Sequence, residues 1–310
     1  MPLYLKHDSY GEFVFDWAWA DAYERHGLRY YPKLVAAVPF TPVSGRRLLA
    51  DSAPQRALLL AHALNLARQM GGSSLHCLFP ERSQAEEMAA QGMLLRSGFQ
   101  FHWINGGYRD FDAYLAAMSH DKRKKIKQER RKVQEPGITF RHLSGREIDE
   151  TLWAFFERCY GNTYRQHHSP PYLNLDFFLR IAAAMPDSLL LVLALRDGQP
   201  IAAALNFLGP HTLYGRYWGA TEPWPGLHFE TCYYQAIEYC IENGLAVFEG
   251  GAQGEHKLAR GFLPTPTWSA HWLAHPEFAR AVEEFLAREE KGVARHMDEL
   301  NESNPFKRPT

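Results

Sequence analysis

The chain has 310 residues, of which 46% are hydrophobic and 14% aromatic, with 34 Lys and Arg against 35 Asp and Glu. A formal charge of −1 excludes a global field that would draw the protein to nucleic acid or membrane, so any basic surface has to be local. The composition is that of a globular chain, and its length favours two domains. The cysteines form no C-x-x-C pair and the longest apolar runs are far shorter than the ~20 residues of a membrane span, so we expect a cytoplasmic protein.

The first half of the chain alternates between strand-like and helix-like segments. The run from Tyr30 to Pro39 is aromatic and β-branched and is closed by prolines, which predicts a strand ending in a turn. Ser52 is a favourable N-cap, so we predict a helix from Gln55 to Met70 that stops at a glycine pair. A short strand, a helix near Ser83 to Ser97 and the strand FQFHWI follow. The alternation predicts an α/β unit.

A strongly basic segment follows this unit. Between residues 110 and 134 the chain runs through DKRKKIKQERRKVQ, where only Ile126 and Val133 are apolar, and this pattern predicts a solvated helix. Its charge excess is positive, so contact with the phosphates of a tRNA is an alternative interpretation. The basic residues of this stripe are Arg123, Lys124, Lys125, Lys127, Arg130, Arg131 and Lys132.

The second half begins with a strand and two helices and continues as an antiparallel meander. Asp197-Gly198 joins two apolar strands and is a strong tight-turn signal, so we predict a hairpin there. A helix then ends at Asn243-Gly244 and a last strand, LAVFEGG, follows. The predicted strands are Ile138 to His142, Leu189 to Leu195, Ile201 to Leu208 and Thr212 to Ala220, and the predicted helices lie near Glu147 to Cys159, Leu175 to Met185 and Phe229 to Glu242.

This order of helices, antiparallel strands, a central helix and a final strand resembles the GNAT acyltransferase fold, and a basic helix between two such units resembles the Fem aminoacyltransferases. Three strings resemble the FemAB-like group of bacterial proteins, which is associated with peptidoglycan biosynthesis or recognition. They are SYGEFVFDWAWADAYERHG, LHFETCYYQAIEYC and GAQGEHKLARGF. The resemblance covers nearly the whole chain, although members of the group usually carry further residues before the segment equivalent to Met1 to Tyr4.

The resemblance implies an α/β (α+β) fold of two GNAT-like lobes with mixed central sheets, the first lobe N-terminally incomplete. We therefore divide the chain into residues 1–108, a partial first lobe; 109–136, a basic linking helix; 137–275, a second lobe; and 276–310, a C-terminal helix and tail.

The densest polar cluster lies in the glycine-rich segment from Glu249 to Phe262, directly after a predicted strand. Acylation of an amine needs a base to remove a proton and donors to hold the developing oxyanion. Glu255 or His256 could be the base. Lys257 and Arg260 could bind an anionic group, and Gln253 completes the substrate-binding residues predicted here. The alternative is a surface loop in which Glu255 pairs with Lys257 or Arg260.

His228 and Glu230, at the start of the helix after the meander, are two further catalytic candidates. The GNAT resemblance implies that acyl-CoA pyrophosphate binds at this helix start. The loop here reads EPWPGLHFE, which lacks the expected glycines, and Glu230 would repel phosphate, so we expect a poor CoA site in the second lobe. Glu230 could instead complement the helix dipole.

The corresponding loop of the first lobe carries the predicted cofactor-binding residues. Ser44, Gly45, Arg46 and Arg47 precede a helix and form a degenerate anion-binding loop. The alternative is that both arginines are ordinary surface charges.

Other substrate-binding candidates come from the meander and from the loop after the first helix of the second lobe. Strand alternation predicts Tyr214, Arg216 and Trp218 on one face, where Arg216 and Trp218 could line a cleft. Tyr164 and Tyr172 flank adjacent histidines and two prolines in a segment that we interpret as facing the substrate. No second ligand set stands at a recognisable spacing, so we predict no metal.

The resemblance and these residues together predict an acyltransferase. An acyl or aminoacyl group would pass from acyl-CoA or aminoacyl-tRNA to the amine of a small molecule or peptide, by direct attack without a covalent enzyme intermediate. The alternative is a catalytically inactive binding protein that recognises a cell-wall precursor or peptide.

Overall fold

A computed structural model describes residues 1–251 and 254–307. The strands are β1 (Tyr4–Lys6), β2 (Lys33–Ala36), β3 (Ser74–Leu78), β4 (Leu94–Ile104), β5 (Ile138–Ser144), β6 (Leu189–Arg196), β7 (Gln199–Leu208), β8 (Thr212–Ala220), β9 (Val247–Glu249) and β10 (Phe262–Leu273). The helices are α1 (Trp17–Arg25), α2 (Ala53–Gln69), α3 (Arg82–Ala90), α4 (Phe111–Ala117), α5 (His120–Gln134), α6 (Glu150–Gln166), α7 (Leu175–Ala184), α8 (Leu227–Phe229), α9 (Gln235–Glu242) and α10 (Pro276–Glu302). A π-helical turn, Glu230–Tyr234, joins α8 to α9, and short 3₁₀ turns span Gly145–Glu147, Pro186–Ser188 and Glu255–Arg260.

The chain folds into two compact units. Unit 1 comprises Met1–Gln100 and Pro264–Glu302, and unit 2 comprises Phe101–Leu263 with the segment from Ser303. These bounds differ from the four segments predicted from the sequence: the basic helix α5 lies within unit 2, and the C-terminal helix α10 lies within unit 1. The C-terminal part joins the first half of the chain because β10 pairs with β3 in antiparallel fashion.

Unit 1 is built on a mixed sheet in the order β1-β2-β3-β10-β4, in which β2 and β3 are parallel. Helix α2 covers it because its apolar residues recur at helical spacing, with Leu60 and Leu64 buried against Leu75 of β3. Its N-cap was predicted correctly, although the helix begins at Ala53 and not at Gln55: the Ser52 side chain accepts a hydrogen bond from the backbone N–H of Gln55 in a capping box.

Unit 2 is built on a mixed sheet in which β9 lies between β4 and β8, and β8, β7, β6 and β5 form the antiparallel meander. The predicted hairpin is confirmed, with Asp197 and Gly198 both at positive φ in the turn between β6 and β7. Helices α6 and α7 bury Phe156 and Phe178 against Leu191 and Leu205 of the sheet.

The predicted mixed α/β fold is therefore confirmed, with a mixed sheet in each unit. Within residues 1–251 and 254–307, none of the helices combines the length and the apolar character that crossing a bilayer would require.

Candidate functional site

A pocket opens in unit 2 where two neighbouring strands stop pairing. β8 pairs with β9 in parallel only from Thr212 to Tyr214, opposite Val247 to Glu249. β8 then continues beside β7, while the chain after β9 turns away at Gly250 and Gly251, which line the pocket. The cavity measures about 120 Å³. Its polar and aromatic lining includes Asn206, Arg216, Trp218, His228, Cys232 and Tyr233.

A β-bulge aims β8 at this pocket. The pairing with β7 shifts so that Leu205 lies opposite Tyr217 and Asn206 lies opposite Gly215, which leaves Arg216 as the extra residue. The extra residue moves the side chains that follow Gly215 to the other side of the sheet. The prediction that Tyr214, Arg216 and Trp218 share one face is therefore wrong. Arg216 and Trp218 nevertheless both line the pocket.

His228 is the histidine that lines this pocket. Its ring lies 4.7 Å from the Trp218 ring, measured between centroids. Burial, together with smaller effects of the nearby His256, Arg260 and Lys257, lowers the pKa of His228 to about 4. The imidazole is therefore neutral near pH 7. One of its nitrogens can donate a hydrogen bond to a group bound in the pocket, and the other can accept one.

The π-helical turn brings two further residues to the pocket. Cys232 and Tyr233 both line it, and the Thr231 hydroxyl donates to the carbonyl oxygen of Leu227 within this turn. π-Bulges are often found at functional sites, because they re-aim side chains within a helix. Sequence reasoning missed this pair, although both residues stand in the string LHFETCYYQAIEYC that carries the family resemblance.

The turn Glu255–Arg260 places the predicted catalytic segment beside this lining. Glu255 and His256 are exposed, and the Nε2 atom of His256 lies 3.2 Å from the Tyr233 hydroxyl. Lys257 is only 2% exposed, and its ammonium donates to the carbonyl oxygen of Gly251 over 2.9 Å. Burial lowers the pKa of Lys257 to about 8. Gln253 lies outside the described residues.

Arg260 anchors this turn. Its guanidinium lies 3.5 Å from the centroid of the Phe229 ring, and its Nη2 donates to Glu129 Oε2 of α5 over 2.9 Å. The Nη1 atom donates to the carbonyl oxygen of His256 over 2.8 Å. Arg260 was predicted to bind an anionic substrate group, but in this position it fixes the turn to α5 and α8.

Glu230 also serves the fold. It is fully buried, and its carboxylate accepts hydrogen bonds from Arg130 Nε at 3.0 Å and from Gln235 Nε2 at 2.8 Å. Burial raises the pKa of Glu230, while Arg130 and Gln235 oppose that rise. The predicted catalytic role does not match this position, because the carboxylate neutralises Arg130 and is absent from the residues that line the pocket.

Tyr164 and Tyr172 belong to an aromatic cluster next to the pocket. Their ring centroids are 5.7 Å apart, and the Tyr172 hydroxyl lies 2.8 Å from the hydroxyl of Tyr217. Tyr217 lines the pocket, so Tyr172 contacts the pocket wall, and Tyr164 packs against Tyr172.

The predicted anion loop of unit 1 has its backbone groups already bonded. The N–H of Gly45 donates to the carbonyl oxygen of Phe79, and the N–H of Arg47 donates to Gln84 Oε1. The Arg47 guanidinium is buried and donates to the carbonyl oxygens of Leu78 and Val43, and burial lowers its pKa. An anion site at a helix start needs unbonded N–H groups, which Gly45 and Arg47 do not offer, while Ser44 is half-buried and Arg46 is exposed.

Several solved structures have a similar fold. One is the C-terminal domain of a putative lysylphosphatidylglycerol synthetase from Agrobacterium fabrum. The match extends over 80% of this chain and 82% of that domain, at 11% sequence identity and a TM-score of 0.54. L-PGS from Bacillus licheniformis covers 82% of each chain at 11% identity and a TM-score of 0.58. The match to FemX extends over 80% of this chain and 85% of the FemX chain, at 11% sequence identity and a TM-score of 0.51. Identities this low establish a common fold alone.

No curated protein matches the chain. The family model FemAB-like, described as peptidoglycan biosynthesis/recognition, matches residues 1–308. The chain therefore belongs to the FemAB-like family.

Proposed function

We propose that this protein is an N-acyltransferase that moves an acyl or aminoacyl group onto the amine of a small molecule or peptide in cell-wall metabolism. The observation that carries the proposal is the opening between β8 and β9, where Arg216, Trp218 and His228 meet in one pocket beside the Glu255–Arg260 turn. Concave sites with a few convergent polar groups and perturbed pKa values are the usual places for catalysis.

The reaction would proceed by direct transfer. The nitrogen of the acceptor amine forms a bond to the acyl carbon, the bond from that carbon to the donor sulfur or oxygen breaks, and the amine proton passes to a base and then to the leaving group. Arg216 would stabilise the negative charge that develops on the carbonyl oxygen. The neutral imidazole of His228 would orient the acyl group. Glu255 or His256 would be the base at the opening of the pocket.

Aminoacyl-tRNA is the donor that the surface of unit 2 favours. His120, Arg123, Lys124, Lys127 and Arg131 of α5 line a groove of about 480 Å³. Two of these cations are partly neutralised, Lys127 by Asp112 and Arg131 by Glu135, which leaves a net positive face. Phosphates of a nucleic acid would bind such a face with strong dependence on salt. The bonded N–H groups of the Gly45 loop argue against acyl-CoA at that loop.

A second candidate function is binding without turnover. Two of the predicted site residues, Glu230 and Arg260, are engaged in ion pairs inside the fold, which leaves fewer groups for chemistry. In that case the same pocket would recognise a cell-wall precursor or peptide.

The decisive experiment offers the protein a lysine-containing peptidoglycan stem peptide with either aminoacyl-tRNA or acetyl-CoA, and follows the peptide by mass spectrometry. We expect the mass of one aminoacyl group with tRNA, no product with acetyl-CoA, and a rate that falls steeply as salt is raised. Product with acetyl-CoA alone would make the donor a thioester, whereas saturable peptide binding without product from either donor would establish the binding protein.

A further inference from the structure

A buried asparagine of the pocket carries an oxygen atom that the fold does not use. Asn206 of β7 lines the pocket and is only 1% exposed, so it lies at the bottom of the cavity. Its Nδ2 atom donates to the carbonyl oxygens of Leu190 and Ala204, at 3.4 and 3.3 Å. Within residues 1–251 and 254–307, its Oδ1 atom accepts no hydrogen bond. Buried polar atoms without a partner cost stability and call for an explanation.

The orientation of this amide follows from its partners. Carbonyl oxygens can only accept hydrogen bonds, so the nitrogen of Asn206 has to face the carbonyl groups of Leu190 and Ala204. Turning the amide over would place Oδ1 against two other oxygens and would lose both hydrogen bonds. The oxygen atom is therefore directed away from these two carbonyl groups.

The strand and its neighbours direct this oxygen into the cavity. Leu205 packs with Phe156 in the cluster beneath α6 and α7, so strand alternation points Asn206 to the opposite face, where β7 contacts the π-helical turn. Gly215 lies opposite Asn206 on β8 and also lines the pocket. A Cβ atom at Gly215 would stand 3.5 Å from Asn206 Oδ1. The glycine therefore leaves the oxygen open to a bound group.

The charges of the pocket favour a neutral hydrogen-bond donor next to this oxygen. Among the described residues that line the pocket there is no carboxylate, and the one permanent cation is Arg216. Arg216 would repel an ammonium group, whereas an amide oxygen readily accepts a hydrogen bond from a neutral amine. The α-amino group has an ordinary pKa of about 8, so its neutral form is available near neutral pH.

We propose that Asn206 determines the acyl specificity of the enzyme: its Oδ1 accepts a hydrogen bond from the α-amino group of the donor, and the pocket thereby selects aminoacyl groups over simple acyl groups. This assignment rests on the proposed function and names the class of acyl group that the site takes. In the proposed reaction Arg216 holds the carbonyl oxygen and His228 orients the acyl group. The substituent on the next carbon then lies towards the bottom of the pocket, where Asn206 is.

The expected selectivity follows from the unpaired oxygen. An acyl group without the amino group would fill the pocket and still leave Asn206 Oδ1 without a donor. Sites built to bind an N–H or O–H group of a substrate reject the analogue that lacks it, because a buried polar atom then stays unpaired. We expect a preference of about 100-fold in kcat/KM for the aminoacyl donor.

The test uses two donors that differ only in the α-amino group. One is tRNA charged with the amino acid that the stem-peptide assay identifies, and the other is the same tRNA acylated with the analogue in which hydrogen replaces the amino group. For alanine, the analogue is a propionyl group. The measured quantity is the ratio of kcat/KM for the two donors, because a partial loss of folded protein lowers both rates alike.

Two variants of the full-length protein alter the oxygen or the access to it. Asn206→Leu replaces the amide with an apolar group of similar size and should lower the ratio by about 10-fold or more. Gly215→Ala should also lower the ratio, because its methyl group lies beside Oδ1.

Asn162→Leu on α6 is the matched control. Asn162 Nδ2 also donates to a carbonyl oxygen, that of Ala220 at 2.9 Å, but its Oδ1 already accepts a hydrogen bond from Arg165. This asparagine is not among the residues that line the pocket, so the variant should keep the wild-type ratio.

A wild-type ratio below about threefold would overturn the role of Asn206, whatever the variants do. An unchanged ratio in folded Asn206→Leu would overturn it as well, and Gly215→Ala decides in the same way where Asn206→Leu does not fold. In these outcomes the protein still transfers the acyl group, so the proposed function stands. Transfer from neither donor overturns the proposed function and the assignment of Asn206 with it.

Discussion

Unit 1 and unit 2 each contain a cluster of buried titratable side chains, and the two clusters differ in whether their charges have partners. In unit 1 the ammonium of Lys33 is fully buried and donates to Ser9 Oγ at 2.7 Å, to Glu12 Oε2 at 2.8 Å and to Asp16 Oδ2 at 2.5 Å. In unit 2 the largely buried carboxylate of Glu249 faces the neutral imidazole of His102. Buried charges that have partners are compatible with a stable fold, whereas a buried carboxylate without a counter-charge costs stability when it ionises.

The partnered cluster extends inward through hydrogen bonds. The Tyr30 hydroxyl donates to Asp16 Oδ2 at 2.6 Å and lies 3.0 Å from His76 Nε2. The Nδ1 atoms of His76 and His271 are 2.7 Å apart, so one of the two rings donates to the other. Burial lowers the pKa of both histidines, that of His76 to about 3, and Lys33 therefore supplies the positive charge of this cluster at neutral pH. Ser9, Glu12 and Asp16 of the string SYGEFVFDWAWADAYERHG thus serve the stability of unit 1.

The largest expected effect comes from removing the charge at the centre of this cluster. Lys33→Met removes the buried cation that Glu12 and Asp16 share and leaves Glu12 with the longer ion pair to Lys6, which should lower the free energy of unfolding by about 3–5 kcal/mol. Urea unfolding followed by circular dichroism measures this loss, with Lys125→Met on exposed α5 as a control that should change little. A loss below about 1 kcal/mol would show that the ion cluster contributes little to unit 1.

Glu249→Gln should instead raise the free energy of unfolding at neutral and higher pH. The folded pKa of Glu249, about 7, is raised above the ordinary value of 4.5, so the folded state binds its proton more tightly than the unfolded state. The stability that this proton supplies is complete below about pH 4.5 and is lost as the pH rises through about 7. Glutamine has no charge to ionise, so the variant should equal wild type at low pH and exceed it by about 2–3 kcal/mol at pH 8.

Thermal unfolding across this pH range measures the difference between the two proteins. A variant that is less stable than wild type at pH 8 would mean that Glu249 has a stabilising partner in solution, and the contrast between the two clusters would then fail. A variant that equals wild type at low pH and is more stable at pH 8 would sharpen the contrast, because a buried carboxylate without a counter-charge costs stability when it ionises.

Arg260→Lys should have an intermediate effect. Lysine keeps the charge near Glu129 but loses the contact with the Phe229 ring and one of the two anchoring hydrogen bonds, which should cost about 1–2 kcal/mol. The turn that carries His256 would then be less well positioned, and the transfer rate should fall by about 10-fold. Steady-state kinetics and urea unfolding of the same preparation test both effects. Unchanged kinetics with lowered stability would separate this turn from the reaction.

Local signals in the sequence predicted the elements that local chemistry controls. The Ser52 cap and the Asp197-Gly198 turn depend on residues within a few positions of each other, and both were predicted correctly. The pocket could be predicted only in part. Arg216 and His228 were identified as candidates from their residue types, but the bulge that directs β8 towards the pocket depends on the pairing with β7.

Long-range partners could not be read from the sequence. The Gly45 loop looks like an anion site until Gln84, 37 residues beyond Arg47, occupies the N–H groups of Arg47 and Leu48. Glu249 looks like one more polar residue near a glycine turn until β4 places His102 opposite it. In both cases the function of a side chain depends on whether a distant residue satisfies its polar atoms.

Arg46→Ala should have the smallest effect, because this exposed side chain makes a hydrogen bond to the Ala50 carbonyl oxygen at the surface of unit 1. We expect a change in unfolding free energy within about 0.5 kcal/mol and no change in the affinity for CoA or aminoacyl-tRNA, measured by isothermal titration. Arg123→Ala on the α5 groove is the comparison variant, for which tRNA affinity should fall and the salt slope should decrease by about one. If Arg46→Ala weakened CoA binding instead, the Gly45 loop would hold phosphate with its side chains despite its bonded backbone, and acyl-CoA would replace tRNA as the favoured donor.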